Sequence, residues 1–177
     1  HTANYDTHIA NFLENKFSIP QSHIRINEPI KQSLRYGENP HQNAGVFGNF
    51  DEYFSIFHGK EISYNNILDL VAAVELCEDL GDTACTIIKH NNLAGAAIGK
   101  NPSEAYIRAL KCDPVSSFGG IVAFNKQVDI ETASELNKIF LEIVCAPSFS
   151  DGALELLKKK KDRRLVIQRK SVLSNDK

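Results

Sequence analysis

The apolar positions Ile9, Phe12, Leu13 and Phe17 recur at helical spacing and stop before Ile19-Pro20. That spacing predicts a short amphipathic helix. A polar stretch through Pro29 to Ser33 follows, so residues 1–33 read as a helix and a lead-in, not as an independent domain. From residue 54 the pattern changes. Phe54-Ser55-Ile56-Phe57-His58 predicts a strand closed by Gly59. Ile67, Leu70, Val71, Val74 and Cys77 predict a helix that Gly81 ends. Thr86-Ile87-Ile88 is a β-branched strand. Asn101-Pro102-Ser103-Glu104 opens a helix running to Cys112: Asn caps, Pro suits the first turn, and Glu holds the capping-box position. Gly120-Ile121-Val122-Ala123-Phe124 is the next buried strand. Asp129 caps a helix with inner face Ala133, Leu136, Phe140 and Ile143, Ser150 opens another through Leu154 and Leu157, and Arg164-Leu165-Val166-Ile167 is a last strand. Strands alternating with helices imply an α/β fold: a layered α-β-α domain with a mainly parallel sheet, and with Ile87-Ile88 and residues 121–124 on central strands.

Composition narrows the class. The 177 residues make about one domain, 42% hydrophobic and 24% charged. Lys+Arg is 20 and Asp+Glu 22, for a net charge of −2, which argues against a polyanion-binding protein. The basic run Lys158-Lys159-Lys160-Lys161 with Arg163-Arg164 reads as a solvated helix end and not as a nucleic-acid site. No apolar run approaches the roughly 20 residues of a membrane span. The amino terminus, His1-Thr2-Ala3-Asn4-Tyr5-Asp6, lacks a signal-peptide layout. Methionine is absent altogether. Either the chain is a piece of a longer protein or modified methionines are missing from its sequence; a polar tail after the last strand favours the piece. Cys77, Cys85, Cys112 and Cys145 form no CxxC pair, so neither a zinc site nor a redox motif is expected, and a reducing, cytoplasmic compartment is.

Four polar or glycine-rich stretches lie where strands meet helices or turns, and ligand sites of open α/β sheets gather at the carboxyl ends of strands. In Leu34-Arg35-Tyr36-Gly37-Glu38-Asn39-Pro40-His41-Gln42, Arg35 offers a fork for phosphate or carboxylate and Tyr36 a hydroxyl and a stacking face. The plainer reading is a solvated turn built by Gly37 and Asn39-Pro40. In Ile88-Lys89-His90-Asn91-Asn92-Leu93-Ala94-Gly95, adjacent Lys and His disfavour each other's protonation. His90 is then a proton acceptor and Lys89 a stabiliser of developing negative charge, provided that the strand ends here so both reach one ligand. A surface Lys-His pair is the alternative. Asp113-Pro114-Val115-Ser116-Ser117-Phe118-Gly119-Gly120 brings two hydroxyls and two glycines before a buried strand, as a ligand loop or only a tight turn. It holds neither GxGxxG nor a Walker A lysine. Glu142, where the helix is expected to run into Ile143-Val144-Cys145-Ala146-Pro147, is a ligand if it faces inward and a solvated carboxylate if it does not.

Taken in order, LRYGENPHQ, HGKEISYNN, KHNNLAGAAIG, DPVSSFGGIVAFN and EIVCAP resemble the transformylase part of the bifunctional purine biosynthesis enzymes, AICAR formyltransferase joined to IMP cyclohydrolase. The likeness covers residues 30–168. It implies formyl transfer from 10-formyltetrahydrofolate, a co-substrate, to the 5-amino group of AICAR in purine synthesis. It further implies a cytidine deaminase-like fold without zinc, and a homodimer of the complete protein. Residues 1–33 then correspond to the junction from a cyclohydrolase domain, 34–168 to the first of two transformylase subdomains, and 169–177 to a polar tail.

By the same resemblance His90 accepts the amine proton and Lys89 stabilises the transition state. Arg35 and Tyr36 hold phosphate and ribose, Gly119 makes a backbone contact with Phe118 beside it, Glu142 binds AICAR, and Asn66 of SYNN contacts substrate. Leu93 stands where the family usually has proline, which removes a constraint on the loop after the base. Half of a transformylase is expected to bind AICAR weakly and not to turn over alone. A non-catalytic nucleotide-binding module and a dimerisation half-domain are the rival readings. Neither metal, nucleic acid nor membrane is expected as a partner.

Overall fold

Caps and β-branched runs act over a few residues, and most of the elements they predict are present in the computed structural model, which describes residues 2–20 and 27–173. His1, residues 21–26 of the lead-in and residues 174–177 of the tail lie outside the described residues. The chain forms α1 (Thr2–Phe17), β1 (Ile30–Leu34), β2 (Ala44–Phe47), α2 (Phe50–Tyr53), β3 (Phe54–His58), α3 (Tyr64–Asp79), β4 (Ala84–Lys89) and β5 (Asn92–Ile98). It continues with α4 (Pro102–Leu110), β6 (Ile121–Phe124), α5 (Ile130–Leu136), β7 (Ile143–Ala146), α6 (Asp151–Leu157) and β8 (Arg164–Gln168). Asn101, Asp129 and Ser150 each accept a backbone N–H of the first turn of α4, α5 and α6. Their side chains satisfy donors that a helix start leaves orphaned.

The sheet is mixed, not mainly parallel. Six strands run in the order β3-β8-β7-β6-β4-β5. Pairs β6–β7 and β7–β8 are parallel, while β3–β8, β4–β5 and β4–β6 are antiparallel. The cause is local. His90-Asn91 joins Lys89 to Asn92 as a two-residue turn, and so short a connection can only reverse the chain. The stretch expected to be a loop after Lys89-His90 is therefore strand β5. Both central strands lie where expected, β4 and β6 being adjacent and buried.

A second departure follows α5. The helix expected to reach Ile143 stops at Leu136, and Ile143 opens β7. Phe140 and Ile143 continue helical spacing, yet an apolar run of this length is read equally well by a strand. A third lies upstream: the polar stretch through Ser33 is largely β1, paired antiparallel with β2, and the hairpin crosses position 33/34.

Period-2 alternation splits the core into two layers. Ala84, Ile121, Ala123, Ile143 and Cys145 face α3, whose Leu70, Ala73, Val74 and Cys77 cover them. Cys85, Ile87, Val122, Phe124 and Val144 face α4, α5 and α6. Cys77, Cys85 and Cys145 are buried free thiols and Cys112 is exposed. Helix α1 buries none of its residues. No helix of the described residues is long and apolar enough to cross a membrane. Residues 169–173 are tied down: Arg169 Nη2 donates to Ser55 Oγ at 2.9 Å, and Ser171 Oγ and Val172 N donate to Glu78.

Candidate functional site

The polar stretches converge at one end of the sheet. In register, Ile88 of β4 stands beside Ile121 of β6, which stands beside Ile143 of β7, which stands beside Arg164 of β8. Lys89, Gly120, Glu142 and Arg163 thus form the next row across that end, with Arg164 one residue inside it beside Ile143. Two strand spacings, about 10 Å, separate the positions of Lys89 and Glu142 along it. Because β4 opposes β6–β8, this is the carboxyl end of β4 but the amino end of the parallel strands. The expectation of carboxyl ends alone is corrected accordingly.

Lys89 ends β4, and His90 and Asn91 make the turn with φ of 52° and 57°. Both values lie in the left-handed region, which His and Asn tolerate better than most residues. Lys89 and His90 line the same cavity, of about 310 Å³, with Asn92, Leu93, Asp113 and Ser116. Lys89 Nζ donates to the carbonyl of Phe118 at 2.6 Å. Gly119 has φ of +73°, and a Cβ there would stand 3.9 Å from the same ammonium. Its N–H donates to the carbonyl of Phe140 at 2.8 Å, and the Phe118 and Phe140 rings stand 5.6 Å apart.

The hydroxyls of the preceding loop serve the loop itself. Ser116 Oγ donates to Asp113 Oδ2 at 2.6 Å and Ser117 Oγ to the Asp113 carbonyl at 2.7 Å. The Ser116 side chain and backbone hydrogen bonds hold the Asp113 carboxyl below the usual range. Asp113 and Ser116 both line the Lys89-His90 cavity, and these bonds hold the Asp113 carboxylate as an anion beside it.

Arg35, Tyr36, Asn66 and Glu142 line a second cavity, of about 370 Å³, together with Lys60, Ser63 and Arg164. The Arg35-Tyr36 loop closes on Gln42, whose carbonyl accepts the Gly37 N–H at 2.8 Å, and Gln42 Oε1 accepts the Asn39 N–H at 2.8 Å. Arg35 is exposed, its guanidinium 5.8 Å from the Tyr36 ring. Asn66 serves two neighbours. Its Oδ1 completes a capping box with Ser63 at the start of α3, and its Nδ2 donates to Glu142 Oε2 at 3.0 Å. Glu142 precedes β7 instead of ending a helix, and its side chain is 41% exposed, which leaves it open to a ligand.

The structure thus brings all eight sequence-predicted residues to one end of the sheet but divides six of them between two cavities, with Phe118 and Gly119 beside Lys89. Two participants escape the sequence reading. Arg164, grouped there with a solvated basic run, is half-buried: its Nε and Nη2 donate to the Glu61 carbonyl at 3.0 and 2.6 Å, and its Nη1 lies 3.9 Å from Glu142. Burial pulls its guanidinium below the ordinary value, and Glu142 opposes that shift. Its neighbour Arg163 is wholly buried and donates to Asn137 Oδ1 at 2.6 Å. Asp69 is the other. It is buried on the inward stripe of α3 and accepts the N–H of His90 at 3.0 Å and of Asn91 at 2.7 Å. A carboxylate within an apolar helical stripe was the available signal. Among the described residues no cluster of three or more His, Cys, Asp or Glu could hold a metal.

A family model described as AICARFT/IMPCHase bienzyme matches residues 1–177. The "Bifunctional purine biosynthesis protein PurH" of Persephonella marina is 49% identical, covering 94% of this chain and 34% of that protein. The proteins of the same name from Chlorobium chlorochromatii and Prochlorococcus marinus are 45% and 46% identical, covering 97% and 99% of this chain and 35% and 36% of theirs. The chain therefore spans about a third of the length of the curated relatives it matches. Among solved structures, "Acinetobacter baumannii RibD, form 2" aligns with a TM-score of 0.44 and 13% identity over 59% of this chain and 34% of that one, too slight a likeness to build on.

Proposed function

The chain belongs to the AICARFT/IMPCHase bienzyme family, and from that premise we propose that it carries the AICAR-binding and Lys-His half of a formyltransferase acting in purine biosynthesis. The layers around β3–β8 are then the first transformylase subdomain, of cytidine deaminase-like type, in a cytoplasmic homodimeric enzyme. The reaction joins the 5-amino nitrogen of AICAR to the formyl carbon of 10-formyltetrahydrofolate. As that bond forms, the amine passes a proton to the His90 imidazole. As the bond from formyl carbon to N10 breaks, N10 takes up a proton. Lys89 stabilises negative charge developing on the formyl oxygen, an interaction strongest in the transition state.

One observation carries this reading. Arg35, Tyr36, Asn66 and Glu142, drawn from three separate stretches, line a single cavity about two strand spacings from Lys89-His90. A ribonucleotide bridges such a separation, its phosphate at Arg35 and its base toward the Lys-His turn. Phe118 and Gly119 lie beside the path. The opposed charges of Arg35 and Glu142 suit a ligand with an anionic end and a hydrogen-bond-donating carboxamide end.

The test is calorimetric titration of AICAR into the complete polypeptide and its Arg35→Ala variant. Arg35 supplies a forked, charge-assisted contact, so its removal is expected to weaken binding by roughly 1.5–3 kcal/mol. Equal affinity of the two proteins would overturn the assignment of phosphate to the Arg35-Tyr36 loop. Binding by neither would overturn the substrate.

A further inference from the structure

Resting on the function proposed above, we propose that Asp69 is a positioning residue for the Lys89-His90 pair, holding the turn that carries it against helix α3. Asp69 lies outside every motif residue assigned a role so far. Both of its carboxylate oxygens are engaged on the turn: Oδ2 accepts the N–H of His90 at 3.0 Å and Oδ1 the N–H of Asn91 at 2.7 Å. The residue is 9% exposed. A buried carboxylate is costly unless hydrogen-bonded, and these two charge-assisted bonds satisfy it.

The hairpin itself does not require such a clamp. A two-residue turn with both φ values positive matches strand twist and is closed by its own ladder, here through Lys89 opposite Asn92. What the ladder cannot fix is the tilt of the turn relative to the rest of the site. Asn92 Nδ2, donating to the His90 carbonyl at 2.8 Å, belongs to the hairpin and moves with it. Asp69 does not. It sits on α3 three residues after Asn66, which holds Glu142. Three residues are about 4.5 Å of helix rise, less than one turn. One rigid rod therefore fixes Glu142 in one cavity and the His90 backbone in the other, and the distance between proton acceptor and substrate carboxylate contact is set by helix geometry.

The experiment uses the complete polypeptide with Asp69→Asn and Asp69→Ala, assayed with AICAR and 10-formyltetrahydrofolate, and amide hydrogen exchange at His90 and Asn91. Asn keeps one acceptor but turns an NH₂ toward a backbone N–H. We expect kcat to fall about tenfold for Asn and about a hundredfold for Ala, with the KM for AICAR changed less than about twofold, because displacement of a reacting group costs rate more than ground-state binding. Both turn amides should exchange faster. Added to His90→Ala, Asp69→Asn should cost little more, since it acts through the residue already removed. Should Asp69→Ala fail to fold, the Asn variant decides. Unchanged kcat in Asp69→Asn, or a lower melting temperature with normal kcat and normal exchange of the two amides, would overturn the proposal. A His90→Ala enzyme with normal turnover would instead overturn the formyltransferase reading, while loss of turnover in His90→Ala with full turnover in Asp69→Asn would overturn the clamp alone.

Discussion

Asn66 joins two elements through the two ends of one amide: Oδ1 faces the backbone N–H of Ser63 at the start of α3, and Nδ2 donates to Glu142 Oε2 at 3.0 Å beside β7. The pair of partners fixes which end is which, since a backbone N–H needs an acceptor and a carboxylate needs a donor. Neither Asp nor Gln reproduces both.

Asn66→Asp keeps the cap and removes the donor. It sets a second carboxylate against Glu142, and two close carboxylates disfavour joint ionisation. The expected outcome is a higher KM for AICAR with little change in melting temperature, because the helix cap survives. Parallel steady-state kinetics and thermal melts check it, and an unchanged KM would remove Asn66 and Glu142 from the binding site.

For the proposed catalytic pair, His90→Ala in the complete enzyme should lower kcat by about 10²–10⁴-fold, the usual range for a general base, while AICAR binding changes little. Lys89→Ala should also act on kcat, and the double variant should fall short of the product of the two losses. Lys89 has a second task, its 2.6 Å hydrogen bond to the Phe118 carbonyl. Its removal should therefore also loosen the Phe118-Gly119 turn, seen as faster amide exchange at Gly119.

Gly95 tests the packing behind the motif. A Cβ there would stand 2.0 Å from the Ala109 carbonyl oxygen and 2.9 Å from its carbon, both backbone atoms that cannot swing aside. Gly95→Ala must force β5 from α4, at a cost of about 1–3 kcal/mol or more. A melting temperature equal to that of the parent chain would contradict this close approach.

What the sequence could show followed the range of the physics. Caps at Asn101, Asp129 and Ser150 were legible because a capping side chain bonds within three residues of itself. Strands β4 and β6 were legible from β-branched runs. Strand β5 was not, since its centre, Ala94-Gly95-Ala96-Ala97, is built of small residues with Gly95 against Ala109 of α4, a nearness that no local preference reports. Strand direction was equally silent, because periodicity reads the same up or down. At the site, Arg35, Glu142 and the Lys-His pair were visible as polar breaks in apolar patterning. Arg164 was legible as the first residue of the last strand, but its approach to Glu142 follows from the β7–β8 pairing, which no local pattern reports.

Stability should fall in alkali. Burial pushes the Cys77 thiol up to about 12 and raises the thiols of Cys85 and Cys145 and the hydroxyl of Tyr106. The folded chain thus keeps protons that the unfolded chain gives up. Its stability is fully present below the unfolded thiol value of 9.0 and is lost as pH rises; for Cys77 the loss ends near 12. Within that window each thiol contributes a slope of about −1.4 kcal/mol per pH unit. Urea unfolding at successive pH values above 9 measures this, and Cys77→Ala should make the slope shallower by about one proton's worth. An identical slope would show that the thiol ionises freely in the fold.

The pairing of β3 with β8 fixes a timetable. Ser55 of β3 and its ladder partner Ile167 of β8 lie 112 residues apart in the chain. At a synthesis rate of about 5–20 residues per second, β3 leaves the ribosome on the order of ten seconds before the strand that will cover it. During that interval Phe54 and Ile56 have no sheet to join, and an unpaired strand is a template for other chains. The wall of the second cavity that Arg164 supplies forms last as well, so a ribosome stalled short of β8 would release a chain with the Lys-His turn closed and the Arg35 cavity still open on one side.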